Sequence, residues 1–448
     1  MSDTELTVSL PLTVKVDLRG LDFKGLVQVI REAADAACGE LLGWMVRAVE
    51  RRAIAAQPHR WVNRGPMTRR VQVSWGTVPI RRTRVRDRLT GTTYNLGDRL
   101  LHWRPYVRRS VEAVRTACEL AVSMSYRAAR HWWQRLTGGR CSVMNFWRMV
   151  QGAGRRLVRQ EGEGVGEIRK EDPPPRAVRR MYLEADGAWL RRQKCRRRRR
   201  GGESSPDGPS LTTVAPPRAA DHLLMYVGAD YSKLEETGQG RRNAVDKQIT
   251  VDVGDIRSFG RQWAWRVSRR FDLRRSANVL YLCDGEDGLF RLARRHFRGA
   301  LLQLDRFHVH RQLGRAFGLG TPGYRTALSA LCRKDLSQVR SLLALRGAGE
   351  RHEVCREVRG YLDRHVSVLY TYEEWERRTT VRKMGSGVIE KTIETQINRR
   401  MKRQGMSWSV PGARRLGKLR VLYREEKRWD AFWSQMGTDS RPLKTDEP

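Results

Sequence analysis

Apolar positions recur every three or four residues in the first part of the chain, alternate or run together past residue 177, and return to helical spacing after residue 319. Over Lys24–Arg52 the apolar set Leu26, Val27, Ile30, Ala33, Ala37, Leu41, Leu42 and Met45 predicts a helix. Arg69–Arg86 alternates instead. Val71, Val73 and Trp75 share one face, Gly76-Thr77 supplies a turn, and Val78, Ile80, Thr83 and Val85 return, which predicts a basic hairpin. A helix is expected from Pro105 to Met124. Ser125–Leu136 and Ser142–Val150 then read as two short helices about Thr137-Gly138-Gly139-Arg140, with Ser142 as an N-cap. This helix-turn-helix-like pair is a weak signal, because any helical hairpin gives it.

The stretch Glu161–Arg176 is rich in Gly, Glu and Pro, ends in Pro173-Pro174-Pro175 and reads as a linker. Beyond it Tyr182–Leu190, Leu223–Gly228 and Ile249–Val253 are expected strands, followed by a helix at Phe259–Phe271, a strand at Val279–Cys283, a helix at Leu289–Phe297 and a strand at Ala300–Leu304. The order βββαβαβ is that of an RNase H-like fold. Arg196, Arg197, Arg198, Arg199 and Arg200 fall in a low-complexity loop between the first two strands; the run either grips phosphates or is merely solvated. Thr321–Trp375 is helical without strands and reads as an insertion, and a further long helix opens near Gly385.

Charge gives this architecture a partner. The 448 residues carry 88 Lys and Arg against 49 Asp and Glu, a formal charge of +39, and 40% of them are apolar. That apolar content is enough to bury real cores, and the length implies two or three domains. An excess this large repels itself unless a polyanion compensates it, which points to nucleic acid; a general compositional bias toward Arg explains part of it but not the shortage of acids. The expected organisation is an N-terminal helical region (1–60), a DNA-binding region with the hairpin and the helix pair (61–160), a linker (161–176), the first part of the core (177–318), an α-helical insertion (319–376), the catalytic helix with the C-terminal part of the core (377–430) and a tail (431–448). No stretch approaches the ~20 apolar residues of a membrane span. The acidic start Met-Ser-Asp-Thr-Glu lacks the pattern of a secretory signal. Seven scattered cysteines without a C-x-x-C pair suggest reduced thiols, not zinc or disulfides. A cytoplasmic, nucleoid-associated bacterial protein is expected.

Three acids stand where a metal enzyme would need them. Asp186 lies in the first strand, Asp284 ends the fourth, and Glu390 opens the late helix. Cutting a phosphodiester, or joining a 3′-hydroxyl to one, calls for charge stabilisation on attacking and leaving oxygens, which two Mg²⁺ (or Mn²⁺) ions about 4 Å apart supply through carboxylate ligands. Asp186, Asp284 and Glu390 are therefore the candidate catalytic and metal-binding residues. A lone acid in an apolar strand is more often a cap; the three together in this order carry the reading. Rivals are Glu184 on the same strand face as Asp186, Glu394 one turn past Glu390, Asp287, and the pair Asp305 and His308, which either edge the pocket or cap the next helix. Arg399, Arg400, Lys402 and Arg403 follow Glu390 and are candidates, with Arg196, Arg197 and Arg198, for gripping the DNA backbone. Trp408 either stacks on an unpaired base or, the favoured alternative, packs its segment against the sheet.

Several blocks carry a resemblance. Glu-Ala-Asp186-Gly with Gln193 beyond it, Cys-Asp284-Gly285, Leu304-Asp305-Arg-Phe-His308, Gly-Ser-Gly-Val-Ile-Glu390 and Asn398-Arg-Arg-Met-Lys-Arg-Gln-Gly405-Met-Ser-Trp408-Ser409 with Gly412 resemble the signature blocks of DDE-type insertion-sequence transposases. The likeness is to the ISLre-type group, related to Mutator-like transposases, and it spans about Met181–Arg424. It implies an RNase H-like catalytic domain with a helical insertion before the third acid, Mg²⁺-dependent cleavage and strand transfer at inverted-repeat ends, and Asp186, Asp284 and Glu390 as the three acids. Two departures sit near the first acid: Gly-Ala-Trp follows Asp186 in place of a polar stretch, and the Arg-rich loop is long. The partners expected are transposon-end and target DNA, with a homodimer or larger assembly on the DNA. Two other readings stay open: a structure-specific nuclease that only hydrolyses, and an inactive DNA-binding regulator.

Overall fold

The computed structural model describes residues 22–104, 107–163, 174–193, 221–236, 242–349, 351–383, 385–403 and 405–438. It is a mixed α/β protein that divides into two compact units, one of residues 154–421 and one of residues 1–153 with 422–448. Arg196, Arg197 and Arg198 lie outside the described residues.

In the first of these units the strands β1 (Met181–Arg191), β2 (His222–Tyr231) and β3 (Gln248–Val253) lead to helix α1 (Ile256–Ser268), then β4 (Val279–Cys283), α2 (Asp287–His296) and β5 (Leu301–Leu304). They form one mixed five-stranded sheet in the order β5-β4-β1-β2-β3. Strands β1 and β2 pair antiparallel, as do β2 and β3, whereas β4 runs parallel to both β1 and β5. Both faces are covered, which is why these strands are apolar runs with little alternation. Met181, Leu183, Ala185, Tyr281 and Cys283 pack with Phe259, Trp263 and Phe297 on one side. Tyr182, Tyr231, Leu280 and Leu282 pack with Trp375 on the other.

Helix α3 (Arg306–Phe317) follows β5, and the chain then continues as helices α4 (Pro322–Cys332), α5 (Leu336–Gly347), α6 (His352–Arg364) and α7 (Thr371–Thr379). Helix α8 (Gly387–Thr392) then continues through a π-helical stretch, Ile393–Asn398, into Arg399–Met401. A short polar ribbon, Lys233–Glu236 with Arg242–Val245, stands between β2 and β3 and has no apolar signature in the sequence.

The N-terminal unit departs from expectation in several places. Its first helix, Phe23–Ala56, leaves Leu26, Val27, Ile30 and Met45 exposed and buries Val46 and Glu50. The hairpin pairs Trp61–Val73 with Gly76–Asp87 and turns at Ser74-Trp75, not Gly76-Thr77, so Trp75 leaves the buried face of Val71, Val73, Val78, Ile80 and Val85. The next helix begins at Val111 because Ser110 caps it, accepting from the Ala113 amide at 3.2 Å. The helix pair is present, with Ser125 capping Tyr126–Thr137 and Gly138 in the left-handed conformation ending it. Its second member extends to Glu163, well past Val150 and into the expected linker. The expected tail holds a helix, Glu426–Thr438, that buries Trp429, Phe432 and Trp433. Asp430 pairs there with Arg115 at 2.7 Å.

Tight packing makes one position in the sheet unforgiving. A Cβ on Gly228 of β2 would meet the Trp263 indole at 2.7 Å, and that ring is fixed by its hydrogen bond to Asp230 and by Phe259, Tyr281 and Phe297 around it. Gly228→Val should therefore destabilise the chain by about 1–3 kcal/mol, the usual cost of overpacking, with Gly228→Ala at the low end. A thermal melt of Gly228→Val that coincides with wild type would contradict this packing.

Candidate active site

The parallel register of β1, β4 and β5 assembles the acids. Ala185 pairs with Cys283, and Cys283 with Leu304, so the next residues, Asp186 in the middle of β1 and Asp284 and Asp305 just past the carboxyl ends of β4 and β5, stand in a row. Adjacent strands lie about 4.8 Å apart, and residues in register share a face. The Asp305 amide bonds to the Cys283 carbonyl at 2.9 Å, which continues the row past the last pair. The carboxyl ends of parallel strands are where open α/β sheets hold ligands.

Asp186 and Asp284 line a cavity of about 830 Å³ together with Glu286, Trp189, His308, Arg311, Arg315, Tyr361 and Lys402. The Gly187 amide donates to Asp186 Oδ1 at 2.6 Å, and the Glu286 amide donates to Asp284 Oδ1 at 3.0 Å. Gly285 turns the chain between them at φ +99°, where a Cβ would also strike Tyr361 and Leu304; only glycine suits both demands. Tyr361, from the helical insertion, donates to the Asp284 carbonyl at 2.8 Å. Burial pushes the Asp186 carboxyl up to about 7, with Asp284 adding to it, the Gly187 amide and His308 opposing, and Glu390 adding further. Burial, then Asp284, pushes Glu286 up to about 7 as well.

Glu390 is not on the wall of this cavity. It lies beside His308 and Asp305, with donor atoms of the three within 4.8 Å of one another. Burial raises its carboxyl, helped by Asp305 and opposed by His308, and its Oε1 is buried without a hydrogen-bond partner. His308 stands where the two groups meet. Burial opposes its proton, but the hydrogen bond to Asp305, with the Asp284, Asp305 and Asp186 carboxylates, raises it overall.

Two of the rival acids are fully engaged elsewhere. Asp305 Oδ1 accepts from the amides of Phe307 and Ser386, both at 3.1 Å, and Oδ2 from the Ser386 hydroxyl and His308 Nδ1 at 2.9 Å. It caps α3 and orients His308, and of the pair His308 is the one that lines the cavity. Glu184, fully buried, binds the Tyr231 hydroxyl, Lys383 Nζ at 2.9 Å and the Ile389 amide at 2.8 Å. Together they fasten the start of α8 and thereby place Glu390. A metal at Asp305, His308 and Glu390 would have to displace those bonds from Asp305, and hard divalent cations prefer oxygen to imidazole. Among the described residues Asp186 and Asp284 share the cavity wall with Glu286, while Glu390 converges instead with Asp305 and His308. Glu394 turns away to Arg403 and Asn398, and Asp287 is exposed near His365.

Of the basic candidates among the described residues, Lys402 alone is on the cavity wall; burial lowers its ammonium and Asp186 opposes that. Arg399 and Arg403 are mostly exposed and lean on Glu394. Arg400 is buried over the Trp408 ring, 5.5 Å from its centroid. Trp408 is buried too, and its indole donates to the Met401 carbonyl at 2.8 Å. That corrects the stacking role for Trp408 and the backbone-gripping role for Arg400: both side chains are spent on packing. Glu286, Tyr361, Arg311 and Arg315 were not singled out by sequence. Only Glu286, two residues past Asp284, had a local signal.

The chain matches the Uncharacterised protein family (UPF0236) over residues 17–201 and 267–435, and it belongs to that family. No curated protein matches it. Among solved structures it is similar to the Drosophila P element transposase strand transfer complex, at 10% identity over 74% of this chain and 81% of that one, with a TM-score of 0.24. A superposition that loose says nothing of this chain's chemistry.

Two outcomes are expected. Glu184→Ala strands Lys383 and unfastens α8, so it should cost about 3–5 kcal/mol, as removing one partner of a buried pair does, seen as a lowered midpoint in urea. Asp186 and Glu286 bind their protons more tightly folded than unfolded. The stability this gives is full below about pH 4 and is lost as pH rises through about 7. In metal-free buffer the midpoint should fall over that window, and Asp186→Asn should flatten the fall and melt higher than wild type at pH 8. An unchanged slope in Asp186→Asn would refute the assignment.

Proposed function

We propose that the chain is a metal-dependent DNA transposase with an RNase H-like core, cutting phosphodiesters and transferring strands at the ends of an insertion sequence. One observation carries the reading: the register of adjacent parallel strands sets Asp186 and Asp284 side by side on a cavity wall, with Glu390 in electrostatic reach of Asp186. The strand order β5-β4-β1-β2-β3, with β2 alone antiparallel to β1 and β3, supports the RNase H-like assignment.

Raised carboxyls in a shared cavity and an unpartnered buried oxygen on Glu390 are what a cation site looks like before charge arrives. Asp186, Asp284 and Glu390 would hold two Mg²⁺ or Mn²⁺ ions, whose chemistry is to activate a hydroxyl or water and to stabilise charge on the attacking and leaving oxygens. Lys402, on the same wall, offers its ammonium to a phosphate oxygen, and Arg311 and Arg315 steer the strand at the rim. His308, held through Nδ1 by Asp305, keeps its ring in one orientation and can hold a proton beside the acids.

The test is joining of a pre-cleaved end, with sequence taken from the DNA flanking the gene, into supercoiled plasmid in Mg²⁺. Several kcal/mol of charge stabilisation correspond to a loss on the order of a thousandfold in Asp186→Asn, Asp284→Asn and Glu390→Gln, while affinity for the same DNA is kept. Cleavage without joining in wild type would assign a nuclease instead, and full joining by Asp186→Asn would overturn the catalytic site.

A further inference from the structure

The N-terminal unit contains a second cavity, of about 1070 Å³, built on the hairpin, the short strand Thr93–Asn95 and the turn of helix that follows it. Six arginines line it, Arg69, Arg70, Arg82, Arg99, Arg104 and Arg108, and Asp98 is the one carboxylate among the lining residues. Asp98 is already shared by two of them, Arg82 at 2.5 Å and Arg69 at 3.3 Å. Among the described residues Arg70, Arg99 and Arg108 have no carboxylate partner, so at least three positive charges stay uncompensated in one concave surface. Arg82 is 5% exposed, and its Nε is buried with no hydrogen-bond partner. Arg70 and Arg108 are exposed, and among the described residues their side chains make no hydrogen bond or ion pair. A fold gains nothing from gathering uncompensated guanidinium groups, so their cost is offset only when an anion enters.

The aromatic side chains in the cavity narrow the choice of anion. Trp103 is covered by Arg69 and Arg82, at 4.8 and 5.9 Å from its centroid, and Tyr94 by Arg99 at 4.5 Å. Rings engaged in this way are not stacking platforms for unpaired bases. What the surface does offer is guanidinium forks shaped for phosphate oxygens, spread over a width that a single small anion would not neutralise. Duplex DNA, with one charge per about 1.7 Å of axis, matches that demand. We propose that this cavity binds the phosphodiester backbone of duplex DNA, independently of sequence. The site lies wholly in the N-terminal unit, contains none of the acids of the catalytic cavity, and stands whether or not those acids perform strand transfer.

The experiment measures the affinity of the full chain for a short fluorescent duplex of arbitrary sequence, in EDTA, across a range of salt. Arg70→Ala/Arg99→Ala/Arg108→Ala should weaken binding at least tenfold and make the slope of log affinity against log salt less negative by about 2–3, near 0.9 for each phosphate no longer neutralised. Arg70→Lys/Arg99→Lys/Arg108→Lys should keep most of that slope, and a triple Arg→Ala change at Arg346, Arg356 and Arg364 in the helical insertion should leave it near wild type. Equal slopes in the two alanine triples would overturn the proposal. So would loss of stabilisation by inorganic phosphate with duplex binding intact, which would mark a free-phosphate pocket, or single strands binding tighter than duplex and losing more. Because EDTA removes the metals, a failure of joining leaves this measurement unaffected.

Discussion

One register decides the chemistry of this molecule. Strands β1, β4 and β5 run parallel, and the pairings Ala185 with Cys283 and Cys283 with Leu304 put an acid one step beyond the last pair on each strand. Side chains alternate with period two, so a slip of one residue on β4 would carry Asp284 to the opposite face and break the row. What resists such a slip is burial on both faces. Met181, Leu183 and Tyr281 pack below while Tyr182, Leu280 and Leu282 pack above, so every slip exchanges two well-filled cores at once. The acids do not hold themselves together; the apolar residues behind them do.

The acids then separate by how completely they are partnered. Glu184 and Asp305 are saturated with donors and behave as structural fasteners. Asp186, Glu286 and Glu390 are buried or half-buried with few donors, and each holds its proton more tightly than usual. Concentrating like charges at low dielectric costs stability, and such a cost persists in a fold when the site needs it. The same logic applies at larger scale to the formal charge of +39 and to the uncompensated arginines of the N-terminal cavity. In both places like charges are gathered in one concave surface, and at the acids raised proton affinity relieves part of the repulsion.

The sheet strands were readable because double burial makes them short apolar runs between polar breaks, and Asp186 and Asp284 were readable as acids that interrupt or end such runs. The ribbon after β2 was not, since Lys233–Glu236 is mostly polar and only Leu234, with Ala244 of the partner strand, packs against a core. Gly152 and Gly154 make the helix look as if it stops near Val150, yet Gly154 sits where a Cβ would meet Arg415 at 2.6 Å. The helix at Glu426–Thr438 looks like a tail in sequence, yet Trp429, Phe432 and Trp433 stack on one another and the Trp429 indole donates to the distant Glu119 at 3.2 Å. Arg400 and Trp408 mislead for the same reason. A basic, aromatic stretch reads as a ligand surface until one sees that the guanidinium and the indole have each other.

Glu390 shows most clearly where local reading ends. Its helix is only six residues long before the π-helical stretch begins, too short to fix an orientation by itself. The orientation is imposed from the sheet: Glu184 takes the Ile389 amide and Asp305 takes the amide and hydroxyl of Ser386, and Gln303 holds the Lys383 carbonyl just upstream. All three anchors are on β1, on β5 or at its end, the strands that flank β4 and its Asp284. The third acid is thus placed by the same register that places the first two, and the π-helical stretch beyond it can absorb the mismatch between a helix start fixed by the sheet and a helix end fixed by Arg400 and Trp408. A site built this way forms only once the sheet has formed. Any change that loosens Glu184 or Asp305 must then act on Glu390 without touching it.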